Sequence, residues 1–265
     1  MSSISTGNAE QYADSRKLAA RGRLVSRYTI AETPWFEWVF QRLPLAPGCR
    51  VLDIGCGPGW FWAANAAALP PNIALTLVDL SPGMMEEALA RCHGLAFGSV
   101  DGAASDAADL PLANESADLV IMMHMLYHVP DPAGAIAEAH RVLAPGGVLA
   151  VTTNGLGDAV ELYALTTLLG GSPVNPAALA FGFEDAERLM GQRFGAVETA
   201  VHPSRLRITE AEDVVLAMTS FPPGDRASEP QLEAFRGAVD EAFRRGSGAL
   251  ETLKQTGLFL SRKGC

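Results

Sequence analysis

Acids, glycines and histidines occur in this chain at spacings that suit a small, charged, nucleotide-like ligand. Asp53 stands inside a short apolar run, Arg50-Val51-Leu52-Asp53-Ile54, and is followed by glycines at alternate positions, Gly55, Gly57 and Gly59. Cys56 and Pro58 fill the gaps and Trp60 follows. Glycines leave no Cβ over a turn, so a ligand can lie against the backbone. Free N–H groups at a helix start favour a negative group there, whereas Asp53 suits an ammonium group and would repel a pyrophosphate. A second acid, Asp79, ends the apolar run Ile73–Val78, 24 residues beyond Gly55. That is near the spacing of about 20 residues for an acid that takes up ribose hydroxyls, since a carboxylate accepts from both at once. His124, Tyr127 and His128 cluster after a further apolar run. Histidine titrates near neutrality, which makes His128, and Tyr127 beside it, candidates for moving a proton.

The elements that must position these residues follow from the pattern of apolar residues. Val51 to Ile54, the glycines, and then the aromatic and alanine-rich Trp60–Leu69 predict a buried strand, a tight turn and a helix. The nicotinamide or flavin fingerprint would need a glycine three positions after its second one, and Trp60 stands there. Ile73–Asp79 predicts a second strand, after which Leu80-Ser81-Pro82 leads into a helix capped by Ser81. Val100–Ser105 predicts a weak third strand, interrupted by Gly102, before Asp106-Ala107. Ala117–Met125 predicts a fourth strand buried on both faces. Ile136, Ala139, His140 and Leu143 mark a helix ended by Pro145-Gly146-Gly147, and Val148–Thr152 a fifth strand. Tyr12–Leu43 has helical spacing, with Pro34 opening the second of two helices. Beyond Asn154, helices are expected over 158–169, 184–194, 210–218 and 230–243, an extended stretch over 197–208, and a last strand at Gly257–Ser261.

Four of these motifs, in this order, resemble those of the class I S-adenosylmethionine-dependent methyltransferases. They are Asp53 with the alternate glycines, Asp79 with Leu80, Asp106 with Ala107, and Arg141-Val142-Leu143-Ala144-Pro145-Gly146-Gly147. The likeness covers about residues 45–153 and is similar in style to bacterial small-molecule enzymes. The Asn-Pro-Pro-aromatic sequence of nucleobase-amine enzymes is absent, and Met125-Leu126-Tyr127-His128 stands in its place. No Asp/Asn cluster suggests a magnesium site, so no metal is expected. The resemblance implies a doubly wound, mostly parallel seven-stranded α/β sheet with N-terminal helices and a helical cap insertion. It divides the chain into a lid (1–43), a cofactor core (44–154), and a cap with closing strands (155–265). It implies S-adenosylmethionine as cofactor and S-adenosylhomocysteine as product. Asp53, Gly55, Cys56, Gly57, Gly59, Trp60, Asp79, Leu80 and His124 would bind it, His124 through its backbone. Asp106 and the Ala107 N–H would read the adenine, and Tyr12 and Arg21 of the lid helix would hold the carboxylate. His128 would be the general base of an O-methylation; an amine or thiol acceptor would need none.

Residues 1–10 are polar and predict disorder without a signal peptide, and no apolar run approaches the ~20 residues of a membrane span. The four cysteines lack a CxxC pair and predict reduced thiols, so a soluble, cytoplasmic protein is expected. A net charge of −10 without a Lys/Arg block argues against nucleic acid. The expected partner is a small-molecule acceptor, with the chain a monomer or homodimer. Leu162, Leu165, Phe181, Phe183, Leu216, Met218 and Phe221 suit an apolar or aromatic acceptor, although most would form the cap's own core. The alternatives are a regulatory subunit that binds the cofactor without turnover, and an RNA methyltransferase.

Overall fold

A computed structural model describes residues 15–264, apart from the side chains of Lys17, Ala20 and Arg21. Tyr12, the 1–10 segment and the side chain of Arg21 therefore lie outside the described residues. The helical pattern before the core divides into helix α1 (Arg16–Tyr28), a two-residue strand β1 (Thr29–Ile30) and helix α2 (Trp35–Phe40), with Pro34 at its N-cap.

The core is built from parallel βα units. Strand β2 (Arg50–Ile54), buried at all but Arg50, feeds the glycine turn and helix α3 (Trp60–Ala64). Strand β3 (Ala74–Asp79) leads into helix α4 (Pro82–Cys92), where the Ser81 hydroxyl accepts from the Met84 N–H at 3.3 Å. Strand β4 (Ser99–Ala104) is followed by β5 (Ala117–Met123) and helix α5 (Pro132–Val142), capped by Asp131, which accepts from Gly134 N at 2.9 Å. Strand β6 (Leu143–Asn154) is buried along its second half, as a strand covered on both faces must be.

Beyond β6 come helices α6 (Val160–Thr166), α7 (Pro176–Ala180) and α8 (Phe183–Phe194), then strands β7 (Glu198–Val201) and β8 (Ser204–Ile208). Helices α9 (Ala211–Met218) and α10 (Glu229–Arg245) and strands β9 (Leu250–Lys254) and β10 (Thr256–Arg262) complete the chain. The main sheet has seven strands in the order β4-β3-β2-β5-β6-β10-β7. It is parallel through β6, and β10 lies antiparallel between β6 and β7. This is the doubly wound sheet that the resemblance implies.

The cap is not purely helical. β1, β8 and β9 form a separate antiparallel sheet. The extended stretch 197–208 breaks at His202-Pro203 and serves both sheets, β7 in one and β8 in the other. Ser204–Ile208 alternates buried and exposed, a period of two over only five residues, too short to stand out from sequence.

Apolar clusters pack both faces of the main sheet, and a third cluster forms the cap's core. Leu24 and Tyr28 belong to that third cluster, packed with Val214, Phe235 and Val239, so α1 is joined to the cap. Asp213 fastens the join, accepting from Tyr28 Oη at 2.6 Å and Arg27 Nη1 at 3.0 Å. Phe181 and Phe183 pack instead with the main core, and Leu216 is 50% exposed. Those three residues therefore do not face an acceptor. Among the described residues, no helix is long and apolar enough to cross a membrane.

Candidate functional site

The carboxyl ends of five adjacent strands lie in a row. Asp106 follows β4, Asp79 ends β3, the glycine turn follows β2, His124 follows β5, and Asn154 ends β6. At about 4.8 Å per strand this row spans roughly 19 Å. A cavity of about 850 Å³ lies over it, with Leu18, Gly22 and Val25 of α1 in its wall. That volume is at the upper end of the range of about 300–1,000 Å³ for small-molecule sites.

The three glycines of the turn take φ of +67°, +53° and +73°, but their needs differ. A Cβ on Gly57 would meet nothing within 4 Å, so the space over it is open to the cavity. A Cβ on Gly55 would come within 2.6 Å of Met125 Cβ, and one on Gly59 within 3.3 Å of Ala88 Cα in α4. Gly59 does not line the cavity; helix packing requires it to be bare.

Asp79 braces the turn. Its Oδ2 accepts from Gly57 N at 3.0 Å and its Oδ1 from Ser81 N at 2.9 Å. Burial pushes its pKa up, opposed by those backbone donors. Asp53 is 3% exposed and accepts from Trp62 Nε1 at 2.8 Å. Burial above all, against the Trp62 bond and with the charge of Asp79, raises its pKa from 3.8 to about 7. A carboxylate so poorly solvated gains strongly from a cation.

The folded state thus holds a proton on Asp53 that the unfolded chain releases above pH 3.8. Stability is expected to fall as the pH rises from 3.8 to about 7, at a slope approaching about 1.4 kcal/mol per pH unit. Asp53→Asn should flatten that slope in thermal melts across the range. An unchanged slope would place the titration elsewhere.

At the end of β5, His124 takes φ +51°, a region histidine visits more readily than most residues. Its N–H donates to Thr152 O at 3.1 Å, which keeps that backbone donor within the sheet. Its half-buried ring lies near Trp35, 5.7 Å between centroids, and desolvation followed by the Lys254 charge pushes its pKa down to about 3. Tyr127 and His128 sit on a single 3-10 turn with their rings 4.6 Å apart, and both line the cavity. Asp106 is exposed, and its Oδ1 accepts from Ala108 N at 2.9 Å, an Asx turn that leaves Oδ2 for a ligand. Cys56, Trp60, Leu80 and Ala107 also line the cavity, and burial holds the Cys56 thiol well above its usual range.

The cap side of the cavity holds residues that the sequence did not suggest. Lys254 Nζ donates to Asp158 Oδ1 at 2.7 Å and to Asn154 Oδ1 at 3.1 Å, and Asn175 Nδ2 donates to Asp158 Oδ2 at 2.7 Å. These side chains come from β6, β9 and the loops before α6 and α7, with no local motif linking them. Leu24, Leu162, Met218 and Phe221 supply apolar wall nearby.

Residues 52–151 match the family model of a methyltransferase domain. The ubiquinone biosynthesis O-methyltransferase of Xylella fastidiosa is 40% identical over 120 residues, 44% of this chain and 46% of that protein. The malonyl-acyl-carrier-protein O-methyltransferase of Hahella chejuensis is 41% identical over 108 residues, 40% of this chain and 37% of that protein. The chain thus spans less than half the length of these curated relatives. Among solved structures, a methyltransferase-like protein of Bacillus halodurans superposes with a TM-score of 0.61 at 18% identity, covering 88% of this chain and all of that one. The cyclase SpnF superposes at 0.59 and 21% identity, covering all of this chain and 97% of that one. Such distant likenesses carry the fold alone, while the family match spans the strands, glycine turn and strand ends of 52–151. Residues 52–151 thus form a methyltransferase domain, similar to those of the class I S-adenosylmethionine-dependent methyltransferases.

Proposed function

We propose that this protein transfers a methyl group from S-adenosylmethionine to a small-molecule acceptor. The observation that carries this reading is the continuity of one cavity from the glycine turn and Asp79, past the end of β5, into the cap. S-adenosylmethionine supplies an electrophilic methyl on a sulfonium cation. The residues present fit it: Asp53 is a buried acid suited to an ammonium group, Gly57 leaves backbone bare, and Asp79 has lone pairs left for ribose hydroxyls. Asp106 and Ala107 would read the adenine beside Leu80. Gly55 and Gly59 shape the turn, and Cys56, Trp60 and His124 wall it. Leu18 and Gly22 of α1 line the cavity, which supports a lid role for that helix over the 44–154 core. The 155–265 segment then covers the acceptor.

The chain's contribution to the rate is positioning and exclusion of water, since in-line displacement needs the nucleophile held about 3 Å from the methyl carbon. Relatives named as O-methyltransferases favour an oxygen nucleophile. For a hydroxyl of ordinary acidity, His128 would take the proton, with Tyr127 packed against it. His128→Asn should then lower turnover by about 100-fold or more, leave cofactor affinity intact, and remove an ionisation near neutrality. Turnover within a factor of about three, under 1 kcal/mol of barrier, would reduce His128 to packing.

The overall reading is tested by calorimetry with S-adenosylhomocysteine and by label transfer from tritium-labelled S-adenosylmethionine into a metabolite extract. Binding with turnover supports it. Tight binding without any turnover would favour a regulatory subunit, and salt-dependent binding to RNA would favour an RNA substrate.

A further inference from the structure

We propose that the cap end of the cavity is a hydrogen-bond-donating site for an oxygen of the acceptor, so that the acceptor is an apolar molecule bearing a carbonyl or an oxyanion. The inference rests on the methyltransferase reading of the same cavity and adds the chemistry of the second substrate.

Asn154 stands at the end of β6, two strands past the glycine turn in the sheet order, or about 10 Å along the row of strand ends. It is therefore beyond the stretch assigned to the cofactor, and it lines the cavity beside Lys254 and Asp158. The hydrogen bonds there are one-sided. Asp158 is 2% exposed and both its oxygens are engaged: Oδ1 by Lys254 Nζ at 2.7 Å and Gln255 N at 2.9 Å, and Oδ2 by Asn175 Nδ2 at 2.7 Å. Asn154 Oδ1 accepts from Lys254 Nζ at 3.1 Å and Thr256 Oγ1 at 3.2 Å. Lysine only donates, so the atom of Asn154 facing it must be the carbonyl oxygen, and the amide NH₂ points elsewhere.

What remains for a ligand is donors. Lys254 uses two of its three N–H groups on Asp158 and Asn154. The Asn154 amide nitrogen makes no hydrogen bond among the described residues. Trp35, in the same cavity wall and 5.7 Å from the His124 ring, has a buried indole N–H with no partner among them. A buried donor left unsatisfied costs about 1–3 kcal/mol; Trp35 Nε1 is such a donor, and Lys254 and Asn154 carry further N–H groups in the same cavity wall. An amine or ammonium would leave the Trp35 N–H unpaired and compete with Lys254 for carboxylate oxygens that already accept three hydrogen bonds. The Lys254–Asp158 pair is neutral as a unit, so a ketone or ester oxygen suits the site as well as an anion. Leu24, Leu162, Met218 and Phe221 enclose the apolar remainder of such a molecule.

The test uses the full chain saturated with S-adenosylhomocysteine and three ligands that share one ring system: 2-acetylnaphthalene, 2-naphthoate and 2-(aminomethyl)naphthalene. The ketone and the carboxylate are expected to bind at least about tenfold tighter than the amine. Their relative order tells a neutral carbonyl from an oxyanion. Lys254→Met combined with Asp158→Asn, which keeps the buried charge balanced, should shrink that preference to under about threefold and leave S-adenosylhomocysteine affinity unchanged. The wild-type comparison stands even if the double variant does not fold. Equal binding of the amine, or no binding of ketone and carboxylate at millimolar concentration, would overturn the inference while the methyltransferase reading survives. Failure of S-adenosylhomocysteine itself to bind would overturn both.

Discussion

Gly57→Val is expected to abolish S-adenosylhomocysteine binding, with an affinity loss of at least about 100-fold. Two effects combine. Gly57 sits at φ +53°, where a β-branched side chain costs about 1–3 kcal/mol. A Cβ at Gly57 also has nothing within 4 Å, because that space belongs to the cavity, so the added methyl groups would occupy the ligand's place. The two are separated by Gly146→Val. Gly146 has φ +76°, nothing within 4 Å of its Cβ position, and no place in the cavity wall. That variant should lose comparable thermal stability and bind the ligand normally. Normal binding by Gly57→Val would sink the assignment of the turn.

Asp79→Ala should weaken S-adenosylmethionine binding by about 1–3 kcal/mol, roughly fivefold to 150-fold. It also removes the acceptor for Gly57 N and Ser81 N, each bond contributing about 0.5–1.5 kcal/mol to stability. The loss of affinity therefore comes with a looser turn. Circular dichroism should show a folded protein with a lowered melting point, and calorimetry at a temperature well below it reads the affinity alone. Unchanged affinity would remove Asp79 from the site. Asp79→Asn is the sharper variant: an amide offers one accepting oxygen for two backbone donors, so it should fall between wild type and alanine in both readouts.

The core units were legible because local rules and tertiary structure agree in them. Val51–Ile54, interrupted only by Asp53, and Leu119–Met123 are apolar runs because parallel strands are covered on both faces. Ser81-Pro82 and Asp131-Pro132 announce helix starts by capping chemistry that acts within three residues. The strand-end acids Asp79 and Asp106 stand at distances from the glycine turn fixed by the length of a βα unit. Even there, local reading stopped short of roles. Gly55, Gly57 and Gly59 look alike in sequence, and only packing shows that Gly59 serves α4 and Gly57 the cavity.

The cap was less legible. Strands β1, β8 and β9 are short, and each is stabilised by pairing with residues far away in the chain, as Ser204 pairs with Lys254. Phe181 and Met218 are equally apolar in the sequence, yet one packs under the main sheet and the other in the cap beside the cavity.

By itself, the sequence determined the doubly wound sheet and the methyltransferase domain of 52–151, because these depend on spacings within single βα units. Tertiary structure alone decided the pairing of Asn154 with Lys254 in the cavity wall, and the joining of α1 to the cap through Asp213. Those arrangements hold between residues some 100 or more positions apart, where a side chain's partners are set by how elements pack and leave no period or motif in the chain.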